Sequence, residues 1–396
     1  SLTVSDLREV PAIYQNGGSG GFYDGTDTLR NIEWLRFSDG VFDARAATNR
    51  PAGYNVILGQ VTNNSGFESL SGTAGNDWID GLQGSDAMSG GSGNDVYVVS
   101  DWGDTVTEGS NAGTDTVISS LNNFALPANV ENLILVGSAA LAVGNELNNV
   151  FRVDSQAPLA YGSSGIWTVS IAPGAGNDSI SGGSPATVDG MTSFQIVLDY
   201  GVNSASQAIN GNLRLGMLTD GMGGTDTFQN IRGLIGGGGN DVLTGGGSVQ
   251  STSGYLFETF RGGGGNDTID GGETLRGYGN RAEYISSPAG VIVNLGSTTL
   301  NVNGISVAAH TAIDGYGGID ALININEISG SGFDDRLYGA DTTGLGISET
   351  FDPGAGNDYV NGGGGQDEVR YNATPGSVVV NLGAADITWN NGTIVV

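Results

Sequence analysis

The chain has 396 residues, a formal net charge of −29 and no cysteine. The charge argues against a nucleic-acid partner because phosphate would be repelled, and the missing cysteines exclude disulfides, zinc–thiolate sites and thiol catalysis. All 13 basic residues are Arg, so a lysine-rich membrane patch is excluded. The acidic residues are 30 Asp and 12 Glu, an excess of Asp that indicates loops and ion ligands. No apolar run reaches transmembrane length, and no signal peptide is visible.

The first recognisable element is a Gly-Thr-Asp-Thr turn before an apolar segment, at residues 25–28. It recurs around three later Asp residues, the last in altered form, at spacings of 88, 111 and 94 residues. The Asp residues of these turns are Asp27, Asp115, Asp226 and Asp320. The spacing predicts a tandem array of modules of roughly ninety residues each.

Residues 72–98 consist of three consecutive nonapeptides with Gly at positions one and four, Asp at position six and a larger apolar residue at position eight. Glycine permits positive φ and a close approach of carbonyls to an ion, and Asp offers the hard oxygen that Ca²⁺ prefers. Two nonapeptides form one coil of a parallel β-roll, so loops eighteen residues apart should stack. We therefore predict one ion row at Asp77 and Asp95 and an opposite row at Asp86 and Asp104.

Shorter matches to the same pattern occur downstream, at residues 174–180, 237–243, 263–269, 330–337, 354–360 and 363–369. A Gly-rich flexible linker is the alternative interpretation, but a linker would not keep Asp and an apolar residue in fixed phase. Without counter-ions the stacked carboxylates should oppose the compact state. We infer that folding and calcium binding are one coupled event.

A longer repeat relates residues 281–296 to 368–383 at an offset of 87 residues, with Tyr, Pro, two Val, Asn, Leu and Gly in common. Its β-branched runs at 291–295 and 378–382 predict strands, as does the run at 133–136. Three less regular segments, 138–150, 201–211 and 298–310, are predicted to form side hairpins. No sustained 3.6-residue periodicity is present, so helix content should be low.

The repeats divide the chain into five predicted segments, and both ends look cut, as expected for a piece of a longer protein. The segments are the C-terminal part of a truncated module at 1–65, a β-roll module with tandem nonapeptides at 66–150, a degenerate module at 151–250, a β-roll module at 251–340 and the start of a further truncated module at 341–396.

These nonapeptides, together with the Tyr…Pro…Val-x-Val-Asn-Leu-Gly segments and Gly-Ser-Gly-Phe-Asp-Asp, resemble the RTX (repeats-in-toxin) group of secreted bacterial proteins. The resemblance covers most of the chain and is weakest at 151–170 and 189–218. It implies an all-β fold of tandem parallel β-roll (β-solenoid) modules with calcium-binding GGxGxD turns and small β-hairpin insertions. It also implies type I secretion from a Gram-negative bacterium and folding in extracellular calcium.

The resemblance implies that several Ca²⁺ ions are bound by the position-six Asp and by turn carbonyls. The expected ligands are Asp77, Asp86, Asp95, Asp104, Asp178, Asp241, Asp267, Asp335, Asp358 and Asp367, in turns such as those of Gly72, Gly75, Gly90 and Gly93. A second tier, whose local frame differs, comprises Asp27, Asp115, Asp226 and Asp320.

No catalytic pattern outweighs chance in this sequence. The only histidine, His310, has no partner pattern and is interpreted as structural. Residues 17–21 match the nucleophile-elbow pattern but lack the flanking strand and helix. Paired carboxylates suit glycoside hydrolysis, yet with 42 acidic residues such pairs are inevitable. The tryptophans suit either the solenoid core or, as the less frequent case, a sugar-binding face; they are Trp34, Trp78, Trp102, Trp167 and Trp389.

Two functional hypotheses are carried forward, and a toxin-type binder of host cells is a third possibility, although no acylation or pore-forming region is seen in the sequence. The first is a non-enzymatic, extracellular, calcium-binding structural protein that contributes to a surface layer, filament or adhesin-type assembly, with copies of itself or other surface components as partners. The second is the calcium-dependent secretion and folding region of a larger secreted enzyme that modifies polysaccharide or is lipolytic. Extracellular calcium modules bind at ~10⁻⁴–10⁻³ M, and we expect that class of affinity.

Overall fold

The structure is a computed structural model. It describes residues 2–5, 26–29, 34–37, 40–43, 53–59, 66–136, 140–154, 167–182, 187–188, 191–192, 194–246, 257–272, 279–341, 348–371, 388–390 and 393–395. All regular elements in these ranges are β-strands, in agreement with the all-β prediction. The chain divides into two compact units, 1–118 and 119–396, and each is described by itself.

The first unit contains two stacked parallel sheets and two antiparallel strand pairs. Its strands are β1 (Leu2–Ser5), β2 (Thr26–Leu29), β3 (Trp34–Phe37), β4 (Gly40–Asp43), β5 (Asn55–Leu58), β6 (Ser69–Ser71), β7 (Asp77–Asp80), β8 (Ala87–Ser89), β9 (Val96–Val99), β10 (Thr105–Val106) and β11 (Thr116–Ser119), which runs to the boundary of the unit. Strands β1 with β2 and β3 with β4 pair antiparallel.

Alternate nonapeptide strands go to alternate sheets, as the eighteen-residue coil predicts. Strands β5, β7 and β9 form one parallel sheet, and β6, β8 and β10 form the other. In the first sheet Ile79 is in register with Tyr97, and in the second Met88 is in register with Val106. The position-eight side chains of Ile79, Met88 and Tyr97 are fully buried. The predicted stacking of loops eighteen residues apart is confirmed.

The second unit repeats this plan over a longer stretch. Its strands are β12 (Asn123–Ala125), β13 (Asn132–Leu135), β14 (Leu141–Val143), β15 (Val150–Val153), β16 (Trp167–Ala172), β17 (Ser179–Ser181), β18 (Thr187–Val188), β19 (Met191–Thr192), β20 (Phe194–Asp199), β21 (Asn210–Asn212), β22 (Met217–Thr219), β23 (Thr225–Gln229), β24 (Gly233–Ile235), β25 (Val242–Thr244), β26 (Phe257–Arg261), β27 (Thr268–Asp270), β28 (Gly279–Glu283), β29 (Ile292–Asn294), β30 (Leu300–Val302), β31 (Ile305–Val307), β32 (Thr311–Ile313), β33 (Ile319–Ile323), β34 (Glu327–Ser329), β35 (Arg336–Tyr338), β36 (Thr350–Asp352), β37 (Tyr359–Asn361), β38 (Glu368–Val369), β39 (Thr388–Asn390) and β40 (Thr393–Val395).

One face of the second unit is a ten-stranded sheet, with the order β12-β14-β16-β20-β24-β26-β28-β34-β36-β38. The opposite sheet follows the order β13-β15-β17-β23-β22-β21-β25-β27-β33-β32-β29-β35-β37. In this second sheet β22 and β32 run antiparallel to both of their neighbours. The coil is thus interrupted twice by a reversed strand.

The three predicted side hairpins have different outcomes. The segment 298–310 contains the antiparallel pair β30–β31, so that prediction is confirmed. The segment 201–211 ends in β21, which pairs antiparallel with the reversed strand β22. The prediction for 138–150 is wrong, because β14 pairs parallel with β12 and β16 as an ordinary coil strand. The coil was hidden in the sequence because Asn149 stands where the nonapeptide has Asp.

The residues shared by the two copies of the longer repeat have a structural role in the copy at 281–296. Val291, Val293 and Leu295 are buried in the coil interior. The Asn294 side chain between them is buried and donates to the carbonyls of Thr298, Val307 and Ala308 at 2.9, 3.2 and 2.9 Å. One amide therefore ties the β30–β31 hairpin to the roll. The strand predicted at 291–295 is confirmed as β29, whereas the copy at 378–382 lies outside the described residues.

Candidate metal sites in the stacked turns

The turns of consecutive coils lie almost in contact, and only glycine fits between them. The position-four Gly93 has φ +128°, and a Cβ there would lie 2.7 Å from the carbonyl oxygen of Gly75. At Gly72 a Cβ would lie 2.1 Å from the carbonyl oxygen of Gly90 and 2.8 Å from Oδ2 of Asp77. Carbonyl and carboxylate oxygens of neighbouring turns thus converge where the glycines leave space.

The position-six Asp residues form a ladder of hydrogen bonds within each unit, in which Asp86 and Asp104 take the edge opposite to that of Asp77 and Asp95. In this ladder the Oδ1 atom of an Asp accepts the main-chain N–H of the corresponding residue one coil earlier, at distances of 2.7–3.1 Å. These hydrogen bonds run from Asp77 to Asp95, Asp86 to Asp104, Asn149 to Asp178, Ile209 to Asp241, Asp241 to Asp267, Val291 to Asp335 and Asp335 to Asp358.

Three of the four second-tier Asp residues belong to the same ladder. Oδ1 of Asp115 accepts from Asp95 at 2.8 Å, that of Asp226 from Asp178 at 2.8 Å and that of Asp320 from Asp267 at 3.0 Å. All three carboxylates are fully buried. The fourth member, Asp27, lies on β2, but its side chain lies outside the described residues. The different local sequence of this tier therefore leads to the same position in the coil.

The second carboxylate oxygen defines two classes among seven of the ladder residues, whereas in Asp226 and Asp320 it accepts a tyrosine hydroxyl. In Asp77, Asp241 and Asp335, Oδ2 accepts an N–H from its own turn at 2.7, 2.9 and 2.6 Å. In the second class Oδ2 is buried and has no hydrogen-bond partner, and the residues as a whole are only about 1% exposed. This class comprises Asp86, Asp95, Asp178 and Asp267. A buried anionic oxygen without a partner is costly, and a cation is the natural ligand for it.

Burial dominates the electrostatics of these carboxylates. It raises the pKa of Asp178 and that of Asp267 to about 8, with nearby carboxylates adding to the effect. Burial likewise raises the pKa of Asp241 to about 6 and that of Asp320 to about 7. In the absence of calcium, burial therefore disfavours ionisation of the same carboxyls that a divalent cation would neutralise.

The opposite edge carries a similar but sparser row that includes glutamates. The N–H of Glu68 donates to Oδ1 of Asp86 at 2.9 Å, and that of Glu349 donates to Oδ1 of Asp367 at 3.4 Å. Glu349 is buried, and burial raises its pKa to about 7. Asp367 itself is exposed and Asp358 is half-buried, so the predicted ligands do not share one environment.

Residues missed by the sequence reasoning stand beside the predicted ones. Among the described residues, one group of three carboxylates has an oxygen from each within 4.8 Å of the others, and it joins Glu108 to Asp95 and Asp115. All three are buried, and the Tyr97 hydroxyl donates to Glu108. The Glu108 signal was weak in sequence because it lies in a segment without the glycine pattern.

The remaining candidates for chemistry have ordinary surroundings. His310 is exposed at a turn with φ +54°. Trp78 is buried in the roll and Trp102 is 67% exposed, while the side chains of the other three tryptophans lie outside the described residues. In the part of the chain that the structure describes, no helix is long and apolar enough to cross a membrane.

The fold and turns define a parallel β-solenoid with acidic, glycine-lined turns built for a hard divalent cation. A model of the RTX calcium-binding nonapeptide repeat matches the chain in four copies, at residues 62–97, 234–248, 254–273 and 350–372. The chain therefore carries RTX repeats, and the resemblance, the β-roll fold class and the multiple Ca²⁺ ions predicted from sequence are confirmed. Proteins with such repeats are typically secreted by bacteria, and the repeats themselves are typically non-catalytic.

A stretch of 86 residues is 36% identical to the endo-1,3-1,4-beta-glycanase ExsH of Rhizobium meliloti (strain 1021). The match covers 21% of this chain and 18% of that protein. The chain thus spans less than a fifth of the curated relative it matches.

Proposed function

We propose that this chain is a non-enzymatic, extracellular structural protein that folds on calcium and contributes to a surface layer, filament or adhesin-type assembly. The observation that supports calcium-dependent folding is the row of buried carboxylate oxygens without hydrogen-bond partners, at Asp95, Asp178 and Asp267. Each calcium ion would bind the position-six Asp oxygens and turn carbonyls of adjacent coils. The ligands proposed from sequence keep that role, and the five-segment module division remains part of the proposal.

Extracellular placement is supported by the chemistry of the fold. Calcium at millimolar concentration would fill turns of this class, whereas a calcium-poor cytoplasm would leave the carboxylates to repel one another. The chain would then pass through a type I secretion system unfolded and become compact outside. Self-association is supported by the open sheet edges that a solenoid exposes, which can pair with further copies.

A combined folding and mass experiment tests this proposal. Circular dichroism and light scattering are measured in millimolar calcium, in magnesium and in chelator. Strand signal and large particles that appear with calcium and vanish with chelator are the expected result. Equal folding in chelator would contradict the calcium role. A calcium-folded compact monomer would contradict self-assembly and leave calcium-dependent folding intact.

The similarity to the glycanase favours a second candidate, in which this chain is the calcium-dependent folding and secretion region of a larger secreted enzyme acting on polysaccharide. Attachment to a polysaccharide surface would then be a further role. Fusion of the chain to a reporter domain that is inactive when unfolded tests this candidate. Calcium-dependent export and reporter activity would support it, and export that is unaffected by deletion of the chain would oppose it.

A further inference from the structure

The two reversed strands are each followed by a turn that the nonapeptide pattern does not contain. Residues 220–226 and 314–320 share the sequence Asp-Gly-x-Gly-Gly-x-Asp. In the first turn Oδ1 of Asp220 accepts the N–H groups of Met222, Gly223 and Gly224 at 2.8, 2.9 and 2.8 Å. Three main-chain donors therefore fix the orientation of this carboxylate.

The second turn repeats this geometry. Oδ1 of Asp314 accepts the N–H groups of Tyr316, Gly317 and Gly318 at 2.8, 2.9 and 2.8 Å. A side chain from outside the turn also donates a hydrogen bond to the main-chain carbonyl of each Asp. Asn203 donates to the carbonyl of Asp220 at 2.7 Å, and the Ser287 hydroxyl donates to that of Asp314 at 2.7 Å.

The other oxygen of each carboxylate is left without a partner. Asp220 and Asp314 are fully buried, and Oδ2 of each has no hydrogen bond. Three N–H donors fix the first oxygen, so the second oxygen is held in place as a buried polar atom without a partner. A buried carboxylate oxygen without a partner is costly, and a cation is a natural ligand for it.

The space in front of the unpartnered oxygen is lined by further oxygens. A Cβ on Gly224 would lie 2.7 Å from Oδ2 of Asp220 and 1.6 Å from the carbonyl oxygen of Gly176. The equivalent position at Gly318 is 2.7 Å from Oδ2 of Asp314 and 1.6 Å from the carbonyl oxygen of Gly265. In both places a carboxylate and a nonapeptide carbonyl approach the same point, which only glycine leaves open.

Two ladder carboxylates complete each cluster. In the first, Asp178 and Asp226 are joined by their 2.8 Å hydrogen bond, and the buried Tyr200 hydroxyl donates to Oδ2 of Asp226. Burial raises the pKa of both carboxyls, and the charge of Asp220 raises it further. The ladder carboxylate of Asp178 also has an unpartnered Oδ2.

The second cluster has the same composition. Asp267 and Asp320 are joined at 3.0 Å, and the Tyr284 hydroxyl donates to Oδ2 of Asp320 at 3.1 Å. The charge of Asp314 acts on both carboxyls. The two clusters are therefore copies of one arrangement, built from a ladder pair, a hairpin Asp and a buried Tyr.

We propose that Asp220 and Asp314 each add a carboxylate to a calcium site shared with the adjacent ladder pair, and that these two sites fill before the turns that lack a third carboxylate. Among the described residues, only Asp95, Glu108 and Asp115 already have one oxygen each within 4.8 Å of one another, so calcium at Asp220 and Asp314 would draw the ladder pair closer. The proposal rests on the proposed calcium function. A third carboxylate held by fixed donors raises both the charge and the rigidity of the ligand set, which are the two properties that tighten Ca²⁺ binding. Filling these sites ties the reversed strands β22 and β32 to the coil.

The test is a calcium titration of the full chain against a chromophoric chelator, which resolves tight from weak sites. The variants are Asp220→Asn and Asp314→Asn, which keep an oxygen for the three N–H donors and remove the charge. The matched control is Asp86→Asn, a buried ladder residue whose Oδ2 is also unpartnered. Each test variant should remove one site from the tight class, with a loss of affinity of about tenfold or more at that site. The control should change only the weaker class.

A lanthanide readout covers the case in which the Asn variants do not fold. Terbium bound in these clusters is excited through the adjacent tyrosines, so Tyr200→Phe and Tyr284→Phe should each lower the sensitised emission of the first equivalents while leaving every carboxylate in place. Unchanged emission in both variants would overturn the proposal. So would equal losses in the Asp220, Asp314 and Asp86 variants. A wild-type chain that binds no calcium would instead defeat the underlying calcium function.

Discussion

The main-chain N–H of Asp77 donates to Oδ1 of Asp95, eighteen residues later, at 2.8 Å. The same carboxylate holds its Oδ2 buried and without a hydrogen-bond partner. One side chain therefore has two tasks: one oxygen fixes the stacking of consecutive coils, and the other is available to an ion. The coil spacing and the ion row consequently depend on the same residues, which is the physical basis for coupling folding to calcium.

The two classes of ladder Asp should respond differently to loss of charge. Asp95→Asn keeps the hydrogen bond from Asp77 but removes the anionic oxygen that is unpartnered. We expect it to lower the calcium-dependent gain in unfolding free energy by roughly 1–3 kcal/mol, the scale set by one lost ligand site at millimolar calcium. Denaturant unfolding in calcium and in chelator measures this gain.

Asp241→Asn is the matched comparison for that experiment. Both oxygens of Asp241 accept main-chain N–H groups, from Ile209 at 2.7 Å and from Gly237 at 2.9 Å, so the amide loses a hydrogen bond as well as charge. Asp241→Asn should therefore destabilise the chain in chelator as well, whereas Asp95→Asn should destabilise it only in calcium. Identical responses of the two variants in both buffers would contradict the division of the ladder into two classes.

The pH dependence of stability should change sign with calcium. In the calcium-free fold burial raises the pKa of Asp178 and Asp267 to about 8, above the ordinary value of 3.8. A raised folded-state pKa stabilises the fold at pH values below the unfolded pKa, and this contribution is lost as the pH rises through the folded pKa. Stability in chelator should therefore fall between about pH 4 and pH 8.

With saturating calcium the ion binds the ionised carboxylates, so protonation competes with binding. Stability should then fall as the pH is lowered. Thermal unfolding over this pH range, with calcium and with chelator, measures both slopes. Parallel slopes in the two buffers would show that these carboxylates neither titrate nor bind as described.

The sequence was informative where the repeat was regular. Gly at positions one and four, Asp at six and a larger apolar residue at eight predicted the coil length, the buried rows and the stacking of Asp77 on Asp95. The pattern works because each position has a single physical requirement, namely positive φ, a carboxylate or an interior side chain. It also located Asp226 and Asp320, although it ranked them lower because their turns have another local sequence.

The residues that escaped prediction are those whose role depends on the long insertions between coils. Asp220 and Asp314 reach the ladder only because β22 and β32 reverse direction, and no local spacing reports such a reversal. Asn149 was missed for the opposite reason, since an amide there continues the coil without the carboxylate that defines the pattern. The position-six residue can thus change from Asp to Asn while the path of the backbone in the coil stays the same.

The coil at Asn149 should be independent of calcium. The Asn149 amide donates to the carbonyl of Glu131 at 3.2 Å and to Oδ1 of Asn145 at 3.0 Å, and the Asn145 amide donates to the carbonyls of Pro127 and Val130 at 2.8 Å each. These N–H groups satisfy carbonyls that an ion would otherwise bind. Asn149→Asp removes donors and adds a buried charge, so we expect a loss of about 1–3 kcal/mol in chelator.

Calcium should restore part of that loss in Asn149→Asp, since the new carboxylate can bind the ion. Denaturant unfolding of wild type and variant in both buffers is the measurement, and Asn149→Ala is the control that removes the amide without adding charge. Recovery by calcium in the Asp variant alone is the expected outcome. Recovery in both variants would mean that the amide does not replace an ion at this coil.

The contact between consecutive turns can be tested at a single glycine. Gly176 has φ +131°, and a Cβ there would lie 2.4 Å from the carbonyl oxygen of Leu147. Gly176→Ala combines backbone strain with a steric overlap, so we expect a destabilisation of about 2 kcal/mol or more, with or without calcium. At Gly332 a Cβ meets nothing within 4 Å, and Gly332→Ala should change stability by only about 0.5 kcal/mol. Denaturant unfolding of both variants makes the comparison, and a similar small effect at both sites would show that the turns stack less closely than their carbonyls indicate.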